Sequence, residues 1–383
     1  MKKLAIIGAS YLQEPLIQKA KAMGIETHVF AWAAGDVGEK SADHFYPISI
    51  VEKEEILAQC RAIGIDGICS IASDLAMLTV NFVAEAMGLC ANSVAATQKS
   101  TNKNRMRRAF ENGGDPSPRS VLVDETSDLS ALALEFPVIV KPTDRSGSRG
   151  ICKLSSPAGL EEAVGLAISQ SFEKKALVEE FAGGQEYSVE CISFAGEHHF
   201  LAMTKKFTTG APHFIETGHL QPAPVSGEML ERVRKIVFHA LDTLNLMYGA
   251  SHSEIKIDSD GRIRIIEIGG RMGGDLIGSD LVRLSTGIDF VRAVIQVALG
   301  EKPDRTPVSF GGAAAVRFVF TEKDATAVKA IQKDHPDLVV SAHVEVCDGT
   351  VTDSSNRFGY CLMKADKAET LLPFLPTGDG SED

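Results

Sequence analysis

The dipeptide Asp260-Gly261 lies between two segments in which apolar and polar residues alternate. Asp-Gly between such segments is a strong signal for a β-hairpin with a two-residue turn, because both turn residues take positive φ. Counting outward from that turn predicts these cross-strand pairs: Ser259 with Arg262, Ile255 with Ile266, Glu254 with Glu267, and His252 with Gly269. One face of the hairpin then carries the isoleucines Ile255, Ile257, Ile266 and Ile268. The other face carries both glutamates and Lys256.

The predicted pairing of Glu254 with Glu267 is unfavourable by itself. Like charges directly opposite on a sheet destabilise it, and their β-carbons lie roughly 5 Å apart. A bound divalent cation would compensate, since Mg²⁺ is usually held by one or two carboxylates together with substrate phosphates. Two alternatives remain open at this point: a solvated hairpin face, or a four-residue turn that shifts the register and separates the glutamates.

The length, charge and composition of the chain argue against several classes of protein. A chain of 383 residues is long enough for two or three domains. The net charge of −12 argues against a nucleic-acid partner, and no segment is long and apolar enough to span a bilayer. The seven cysteines lack C-x-x-C spacing, which favours reduced thiols in a cytoplasmic protein. The ten histidines show no metal-ligand cluster either.

Residues 1 to about 93 alternate predicted strands and helices, which indicates a parallel sheet with helices on its faces. Two short polar segments follow strands at the carboxyl edge, where such sheets bind ligands. They contain Ser10, within Gly8-Ala9-Ser10, and Asp74, after Ser73. Turn formation and helix capping explain both segments equally well. The glycine pattern is not that of a dinucleotide-binding loop, so NAD binding is disfavoured.

The middle of the chain contains features suited to phosphate binding. A basic helix is predicted over Lys99–Asn112 and includes Lys103. A buried strand over Phe136–Lys141 ends in a lysine, and the small residues of the loop Ser146–Gly150 follow it. Backbone amides and the arginine of such a loop can cover phosphates, although a mobile turn explains it as well. Strands are expected to dominate as far as residue 268, and an α+β segment follows over 301–383.

Two further strings have the composition of ligand sites. Glu179-Glu180-Phe181-Ala182-Gly183-Gly184-Gln185-Glu186 combines a strand end with a short apolar segment and a turn. Gly269-Gly270-Arg271-Met272-Gly273-Gly274-Asp275 follows Glu267 directly, and its glycines allow the backbone to approach a ligand. A mobile loop with a solvated arginine is the alternative for the second string.

The order of these features resembles the ATP-grasp superfamily over most of the chain. The resemblance implies an α/β and α+β protein with the ATP-grasp fold. Its parts would be a Rossmann-like pre-ATP-grasp domain over 1–93, an ATP-grasp domain over 94–300 and a small C-terminal lobe over 301–383. The ATP-grasp domain would divide into subdomains at about 94–178 and 179–300.

The resemblance also implies roles for individual residues. Lys103 and Lys141 would bind the α- and β-phosphates of ATP, beneath a lid formed by Ser146, Gly147, Ser148, Arg149 and Gly150. Glu179, Phe181 and Ala182 match the hinge that receives adenine, and Glu186 matches the acid that binds ribose. Glu254 and Glu267 would hold Mg²⁺, with Mn²⁺ as a substitute. Arg271 would stabilise the phosphoryl group during transfer.

One position departs from the family pattern. Many members have asparagine two residues after the second metal glutamate, where this chain has Gly269 and so lacks one ligand of a second metal ion. A small residue there is similar to the L-amino-acid ligase branch. Phe214-Ile215-Glu216-Thr217-Gly218-His219 supports that branch and implies that Glu216 and His219 lie by the amino-acid substrate. We hypothesise that Asp275 contacts an ammonium group of the substrate, and that Ser10 and Asp74 contact the carboxylate substrate or serve only as turn and cap residues.

The implied activity is a cytoplasmic ligase that joins a small carboxylate to an amine at the expense of ATP. The resemblance is also compatible with a homodimer, and it implies neither a nucleic-acid nor a membrane partner. Three alternatives stay open: a purine-pathway or other small-carboxylate ligase, a biotin-dependent carboxylase component, and a nucleotide-binding regulator without turnover.

Overall fold

The amino-terminal region forms a parallel sheet, as the alternation of strands and helices predicts. The computed structural model describes residues 1–145, 147, 149–210, 214–309, 311–347 and 357–376. The strands β1 (Lys3–Ile7), β2 (Glu26–Phe30), β3 (His44–Tyr46) and β4 (Gly67–Cys69) lie in the order β3-β2-β1-β4. The helices are α1 (Glu14–Ala22), α2 (Val37–Ser41), α3 (Lys53–Ile63) and α4 (Asp74–Met87). Ser10 follows β1 and Asp74 opens α4, so both lie at the carboxyl edge of this sheet.

The predicted basic helix over Lys99–Asn112 is wrong, because the segment forms two helices. They are α5 (Val94–Thr101) and α6 (Lys103–Gly113), and Asn102 between them has extended dihedral angles. The Asn102 side chain accepts a hydrogen bond from the Arg105 amide at 3.0 Å and thereby caps α6. The break places Lys103 at the first turn of α6, where its backbone amide donates to the Thr143 carbonyl at 2.8 Å.

A second, antiparallel sheet follows these helices. Its strands are β5 (Ser120–Val123), β6 (Val138–Pro142), β7 (Cys152–Leu154) and β8 (Ala176–Glu180), in the order β5-β8-β6-β7. Helix α7 (Leu160–Gln170) buries one apolar face, including Val164 and Ile168, in the core of this unit. A 3₁₀ turn over Leu129–Ala131 connects β5 to β6. The sheet presents the ends of β6 and β8, and with them Lys141 and Glu179, to the next unit.

The third sheet has eight strands and contains the carboxyl-terminal segment. The strands are β9 (Gln185–Phe194), β10 (Glu197–Thr208), β11 (Glu216–Gln221), β12 (Gly249–Ile257), β13 (Ile263–Gly269), β14 (Ala313–Val319), β15 (Val339–Val344) and β16 (Gly359–Ala365). Their order is β13-β12-β9-β10-β11-β14-β16-β15. Strands β14 to β16 therefore extend the sheet that the hairpin begins.

Five helices accompany this sheet: α8 (Gly227–Leu244), α9 (Val282–Thr286), α10 (Phe290–Ala298), α11 (Glu322–Asp334) and α12 (Ala368–Leu371). A π-helical turn over Ile277–Leu281 precedes α9, and a 3₁₀ turn over Leu372–Phe374 follows α12. Helix α8 corrects the expectation that strands dominate to residue 268. Its buried residues Val233, Val237, Ala240, Leu241 and Leu244 recur at helical spacing. None of the helices in the described ranges is long and apolar enough to cross a membrane.

The β12–β13 hairpin has the predicted glutamate pair but a different turn. Ile257 pairs with Ile263, and the amide of Gly261, with φ of 73°, donates to the Asp258 carbonyl at 3.0 Å. The turn is thus longer than the predicted Asp260-Gly261 turn and ends in a left-handed glycine. The turn contains one residue more than predicted, which shifts the strand register by one. An extra, unpaired residue on β13 compensates for this shift.

That extra residue is Ile266, which forms a β-bulge between the pairs Ile255–Ile265 and Glu254–Glu267. The bulge restores the predicted pairing of Glu254 with Glu267 and of His252 with Gly269. It also corrects the predicted core face, because Ile263 and Ile265 are buried with Ile255 and Ile268. Ile266 instead lines the cavity described below.

Candidate functional site

A cavity of about 360 Å³ lies where the second sheet, the hairpin and the carboxyl edge of the parallel sheet meet. Most residues singled out from the sequence line it. They are Asp74, Lys103, Lys141, Gly147, Glu179, Phe181, Ala182, Glu186, Glu216, Glu254, Glu267, Arg271 and Asp275. Segments that are far apart in the chain therefore converge on one space.

Four of the singled-out residues do not line this cavity. Arg149 is exposed and Gly150 half-buried, and the arginine that lines the cavity from this loop is Arg145. The Ser10 hydroxyl donates to Gln13 Oε1 at 2.8 Å within its own turn. His219 is fully buried behind the lining residues. Ser146 and Ser148 lie outside the described residues.

Cationic side chains dominate the end of the cavity that is formed by α6 and the second sheet. Lys103 Nζ lies 2.9 Å from Glu267 Oε1 and donates to the Arg145 carbonyl at 2.7 Å. Lys141 forms an ion pair with the buried Glu179, and Arg107 Nε donates to Glu179 Oε2 at 2.6 Å. This end therefore presents lysines towards the space where an anion would bind.

The Glu179 carboxylate is fully engaged by these partners. Burial raises its pKa, but Arg107 and Lys141 outweigh burial and hold the pKa below the ordinary value. Burial lowers the pKa of Lys141, and Glu179 opposes that change. Glu179 thus positions Lys141, a role that the sequence did not indicate. Arg107 was not predicted either, although helical spacing places it with Lys103 on the face marked by the apolar Met106 and Phe110.

A lysine enclosed by glutamates lies behind the lining residues at the opposite end of the cavity. Lys206, on β10, has a side chain that is 1% exposed. Its Nζ lies 2.6 Å from Glu254 Oε1, 2.5 Å from Glu216 Oε1 and 3.3 Å from Glu186 Oε1. Burial lowers the pKa of Lys206, but the three carboxylates outweigh burial and raise it well above the ordinary value. Lys206 stays charged and draws three predicted site residues together.

The sequence gives little indication of Lys206. It follows Lys205, and alternation along a strand places only one of two adjacent side chains on a given face. Strand β10 is buried on both faces, since Met203 and Thr204 are 2% and 0% exposed. The usual contrast between an apolar and a polar face is therefore absent at this position.

A buried pair, Glu190 and His252, supports Glu254 from behind. Glu190 contacts His252 Nδ1 and accepts a hydrogen bond from the Gly273 amide at 3.0 Å. His252 Nε2 lies 3.4 Å from Glu254 Oε1. Burial lowers the pKa of His252, but Glu190 outweighs it and raises the pKa to about 9. Burial raises the pKa of Glu254, whereas Lys206 and His252 hold it well below the ordinary value.

Arg271 connects the hairpin to the amino-terminal sheet. Its Nε and Nη2 atoms donate to Asp74 Oδ1 and Oδ2 at 3.1 and 3.0 Å. Burial lowers the pKa of Arg271, but Asp74 outweighs burial and raises it. A β-carbon at Gly269 would lie 2.7 Å from Asp74 Oδ1. The Asp74–Arg271 pair therefore gives a physical reason for glycine at position 269.

Asp275 is held by an arginine from the carboxyl-terminal segment. Arg357 Nη1 lies 2.9 Å from Asp275 Oδ1, and Arg357 Nη2 donates to the Glu216 carbonyl at 3.2 Å. Burial raises the pKa of Asp275, an effect that Arg357 opposes and Glu216 reinforces. His219 Nε2 lies 3.5 Å from Glu216 Oε2 and completes this group. Arg357 could not be linked to Asp275 from sequence, because it lies far along the chain in no recognisable motif.

Glu254 and Glu267 provide carboxylate oxygens from adjacent strands at the centre of the cavity. Their charges are compensated by Lys206 and Lys103 respectively. Glu254 also lies in a group with Glu186 and Glu216 whose ligand atoms are within 4.8 Å of one another. Hard oxygen donors of this kind fit Mg²⁺ or Mn²⁺.

Comparison with known proteins gives a consistent result. A family model described as an ATP-grasp domain matches residues 134–280. The crystal structure of an L-amino acid ligase from Bacillus licheniformis superposes with a TM-score of 0.83 at 23% identity, over 98% of this chain and 96% of that one. Residues 134–280 thus resemble the ATP-grasp domain family. The ATP-grasp fold, an α/β and α+β architecture behind a parallel-sheet domain, is thereby confirmed.

Two further relatives indicate the range of the similarity. The alanine–anticapsin ligase of Bacillus subtilis (strain 168) is 25% identical over 269 residues, which are 64% of this chain and 56% of that protein. The matched part of this chain thus spans little more than half the length of that relative. A phosphoribosylglycinamide synthetase from Anaerococcus prevotii has a TM-score of 0.75 at 19% identity, over 97% of this chain and 96% of that one.

Proposed function

We propose that this protein is an ATP-dependent carboxylate–amine ligase with an amino acid as one substrate. The observation that carries the proposal is the opposed pair Glu254 and Glu267, placed between the cationic and the anionic end of one cavity. Phosphoryl transfer needs little covalent help and depends on charges held in fixed positions. The names of the alanine–anticapsin ligase and the L-amino acid ligase support an amino-acid substrate.

ATP would bind between the second sheet and the hairpin. Lys103 and Lys141 would contact the α- and β-phosphates, and the loop over residues 146–150 would cover them. Phe181 and Ala182, which follow β8, would receive adenine, and Glu186 would bind the ribose. A Mg²⁺ ion held by Glu254 and Glu267 would neutralise phosphate charge, and Mn²⁺ would substitute for it.

In the first step, an oxygen of the carboxylate substrate attacks the γ-phosphorus of ATP. ADP leaves and an acyl phosphate forms. Arg271, oriented by Asp74, would stabilise the charge on the phosphoryl group during this transfer. In the second step the amine attacks the acyl carbon, phosphate leaves, and the amine proton is released. Because an acyl phosphate hydrolyses readily, the closed cavity would have to exclude water.

The amino-acid substrate would bind beside the anionic end. Glu216, with His219 behind it, and Asp275 are the groups that would face its ammonium, while Asp74 and Ser10 lie on the side of the parallel sheet. An ammonium is a suitable ligand for this end, because three carboxylates there share one lysine.

On the same reasoning we assign residues 1–93 to a pre-ATP-grasp domain, 94–300 to the ATP-grasp domain and 301–383 to a carboxyl-terminal lobe. We also propose that the protein acts in the cytoplasm on small molecules, as a monomer or a homodimer.

Phosphate release from Mg·ATP tests the proposal. We would add single amino acids, then pairs, then other small carboxylates with amines, to the protein and to the Glu267→Gln variant. Release that requires two substrates and disappears in Glu267→Gln is the expected result. Release that requires bicarbonate or a ribose phosphate amine instead would assign a different ATP-grasp ligase. Release that needs no substrate and survives in Glu267→Gln would refute the assignment.

A further inference from the structure

Strand pairing in the amino-terminal sheet brings a second group of metal-ligand side chains together. Glu26 and His28 point to the same face of β2, and His44, the first residue of the edge strand β3, pairs in register with His28. The ligand atoms of these three residues lie within 4.8 Å of one another. The group escapes the sequence analysis because its histidines are on different strands and lack the close spacing of a ligand motif.

The distances within this group match those between ligands of one metal ion. Glu26 Oε1 lies 3.1 Å from His28 Nε2 and 3.2 Å from His44 Nε2. Ligand atoms bonded to one tetrahedral ion at about 2.0–2.1 Å are roughly 3.3 Å apart. The two rings are stacked, with their centroids 4.7 Å apart, so both Nε2 atoms lie beside the same carboxylate.

The hydrogen bonding of His28 leaves a ligand atom available. His28 is 3% exposed, yet its Nε2 atom has no hydrogen-bond partner among the described residues despite the nearby Glu26. Its other ring nitrogen, Nδ1, lies 3.1 Å from the Tyr46 hydroxyl. In metal-binding histidines, one ring nitrogen usually forms a hydrogen bond that orients the ring, and the other ring nitrogen binds the metal.

The surroundings permit a cation to enter. The His44 side chain is 51% exposed and borders solvent, whereas Glu26 is 22% exposed. Lys3 is paired with Glu26 in the sheet, but its ammonium donates to the Ile63 carbonyl at 3.0 Å.

We propose that Glu26, His28 and His44 bind a divalent transition-metal ion of the zinc class. Two imidazoles and one carboxylate suit Zn²⁺ and its neighbours rather than Mg²⁺, which prefers oxygen ligands. The site is separate from the ligase cavity, because it lies at the amino ends of β2 and β3 while the cavity lies at the carboxyl edge. Bound metal would join β3, an edge strand, to β2 and so stabilise the amino-terminal domain.

Zinc titration of the chelator-treated, full-length protein tests this site, with Mg²⁺ present in excess to occupy carboxylate sites. Calorimetry should show one Zn²⁺ per chain, and the melting temperature should rise with Zn²⁺ concentration. His44→Ala should weaken binding about tenfold or more and remove the thermal shift, and Glu26→Gln should act in the same direction. His28 is left unchanged, because its burial makes a folding defect the expected consequence of substitution.

The matched control is His343→Ala. His343 is also an exposed strand histidine beside a glutamate, with Nε2 3.0 Å from Glu345 Oε1, but that pair is not part of a three-ligand group among the described residues. Zinc affinity should be unchanged in this variant. Equal affinity in His44→Ala and the unmodified protein, or no zinc binding by the folded protein, would overturn the site. A thiolate charge-transfer band on Co²⁺ substitution would assign the metal to cysteine and overturn it as well.

Discussion

Each end of the cavity contains a buried charged group surrounded by groups of opposite charge, and the two buried groups differ in sign. At one end Arg107 and Lys141 surround a single carboxylate, Glu179. At the other end a single ammonium, Lys206, is surrounded by three carboxylates. Both central groups are buried, so each depends on its partners to remain charged. The net charge of these groups is positive at the first end and negative at the second. The first end therefore favours an anionic ligand, and the second favours a cationic ligand.

The magnitudes support this interpretation. Two unit charges 4 Å apart near a protein surface interact by about 4 kcal/mol, and removing one ion from water costs several kcal/mol. A cluster with surplus charge is thus costly unless a ligand compensates it. Polyphosphate would compensate the cationic end, and a metal ion or an ammonium would compensate the anionic end. Glu267, paired with Lys103, and Glu254, paired with Lys206, join the two ends and would hold a metal ion that neutralises phosphate charge.

The largest expected effect is that of Glu267→Gln. The substitution removes one carboxylate charge from the central pair and leaves Lys103 without its 2.9 Å partner. We expect phosphate release to fall by about 10²–10³-fold, since electrostatic stabilisation of this kind is worth about 10²–10³ for a single group. Glu301→Gln, in a half-exposed pair with Lys2, is the matched control and should leave the rate unchanged. Near-normal turnover in Glu267→Gln would contradict the central role of this pair.

Lys206→Met tests the anionic end directly. It leaves Glu186, Glu216 and Glu254 mutually repelling, and the loss of one member of a buried ion pair typically costs 3–5 kcal/mol, here taken as about 4 kcal/mol. The free energy of unfolding from urea titration should fall by that amount. Lys205→Met, one residue earlier on the same strand and half-buried, should change it by less than about 1 kcal/mol. Equal losses in the two variants would show that apolar packing, and not the charge cluster, accounts for the effect.

Arg271→Lys tests the connection between the hairpin and the parallel sheet. A lysine cannot reproduce the two-point contact with Asp74 at 3.1 and 3.0 Å. We expect kcat to fall by about 10²-fold with a smaller change in the KM for ATP, because orientation during transfer is lost. Arg234→Lys is the control, since Arg234 forms a solvent-exposed pair with Glu231 on α8 and does not line the cavity. An unchanged kcat in Arg271→Lys would remove Arg271 from the phosphoryl-transfer step.

The hairpin illustrates how much of the site could be predicted from sequence. Strand alternation and Asp260-Gly261 correctly predicted that Glu254 faces Glu267, yet the turn is longer and a bulge at Ile266 restores the register. The bulge depends on tertiary packing, since Arg107 Nη2 donates to the Ile266 carbonyl at 2.7 Å. The longer turn is local, since the amides of Asp260 and Arg262 donate to Asp258 Oδ1 at 3.0 and 2.9 Å. The parallel sheet was predictable because its strands and helices alternate strongly. The break at Asn102 depends on a single side-chain cap to the Arg105 amide, and α8 is marked only by the helical spacing of Val233, Val237 and Leu241.

The charged partners behind the cavity were the least predictable part. Lys206, Glu190 and Arg357 belong to no motif, and their roles arise only when distant segments pack together. From sequence, a lysine, arginine or glutamate is normally expected at the surface. These residues are buried instead, so their contacts could not be predicted. The residues that line the cavity could thus be predicted from ordered motifs, whereas the residues that hold them in place could not.

Lys141→Met tests the cationic end and should have a moderate effect. The substitution leaves Glu179 paired with Arg107 at 2.6 Å, so the fold should tolerate it better than Lys206→Met. Loss of one charge-assisted contact, worth about 1.5–3 kcal/mol, should raise the KM for ATP roughly ten- to a hundredfold. The KM for the amine should stay constant. A rise in the amine KM alone would contradict the assignment of phosphates to this end.

Asp275→Asn should have the smallest effect, and it distinguishes two roles of the anionic end. If the Asp275 carboxylate contacts the substrate ammonium, the KM for the amine should rise about tenfold while the KM for ATP stays constant. If Asp275 only holds Arg357, at 2.9 Å, then Arg357→Gln should raise the amine KM in the same way. The hypothesis of ammonium binding predicts the opposite sign for Arg357→Gln, because that substitution removes a competing cation and should lower the amine KM. Steady-state kinetics with a series of amines would measure both variants, and an identical amine KM in Asp275→Asn and the unmodified protein would refute the hypothesis.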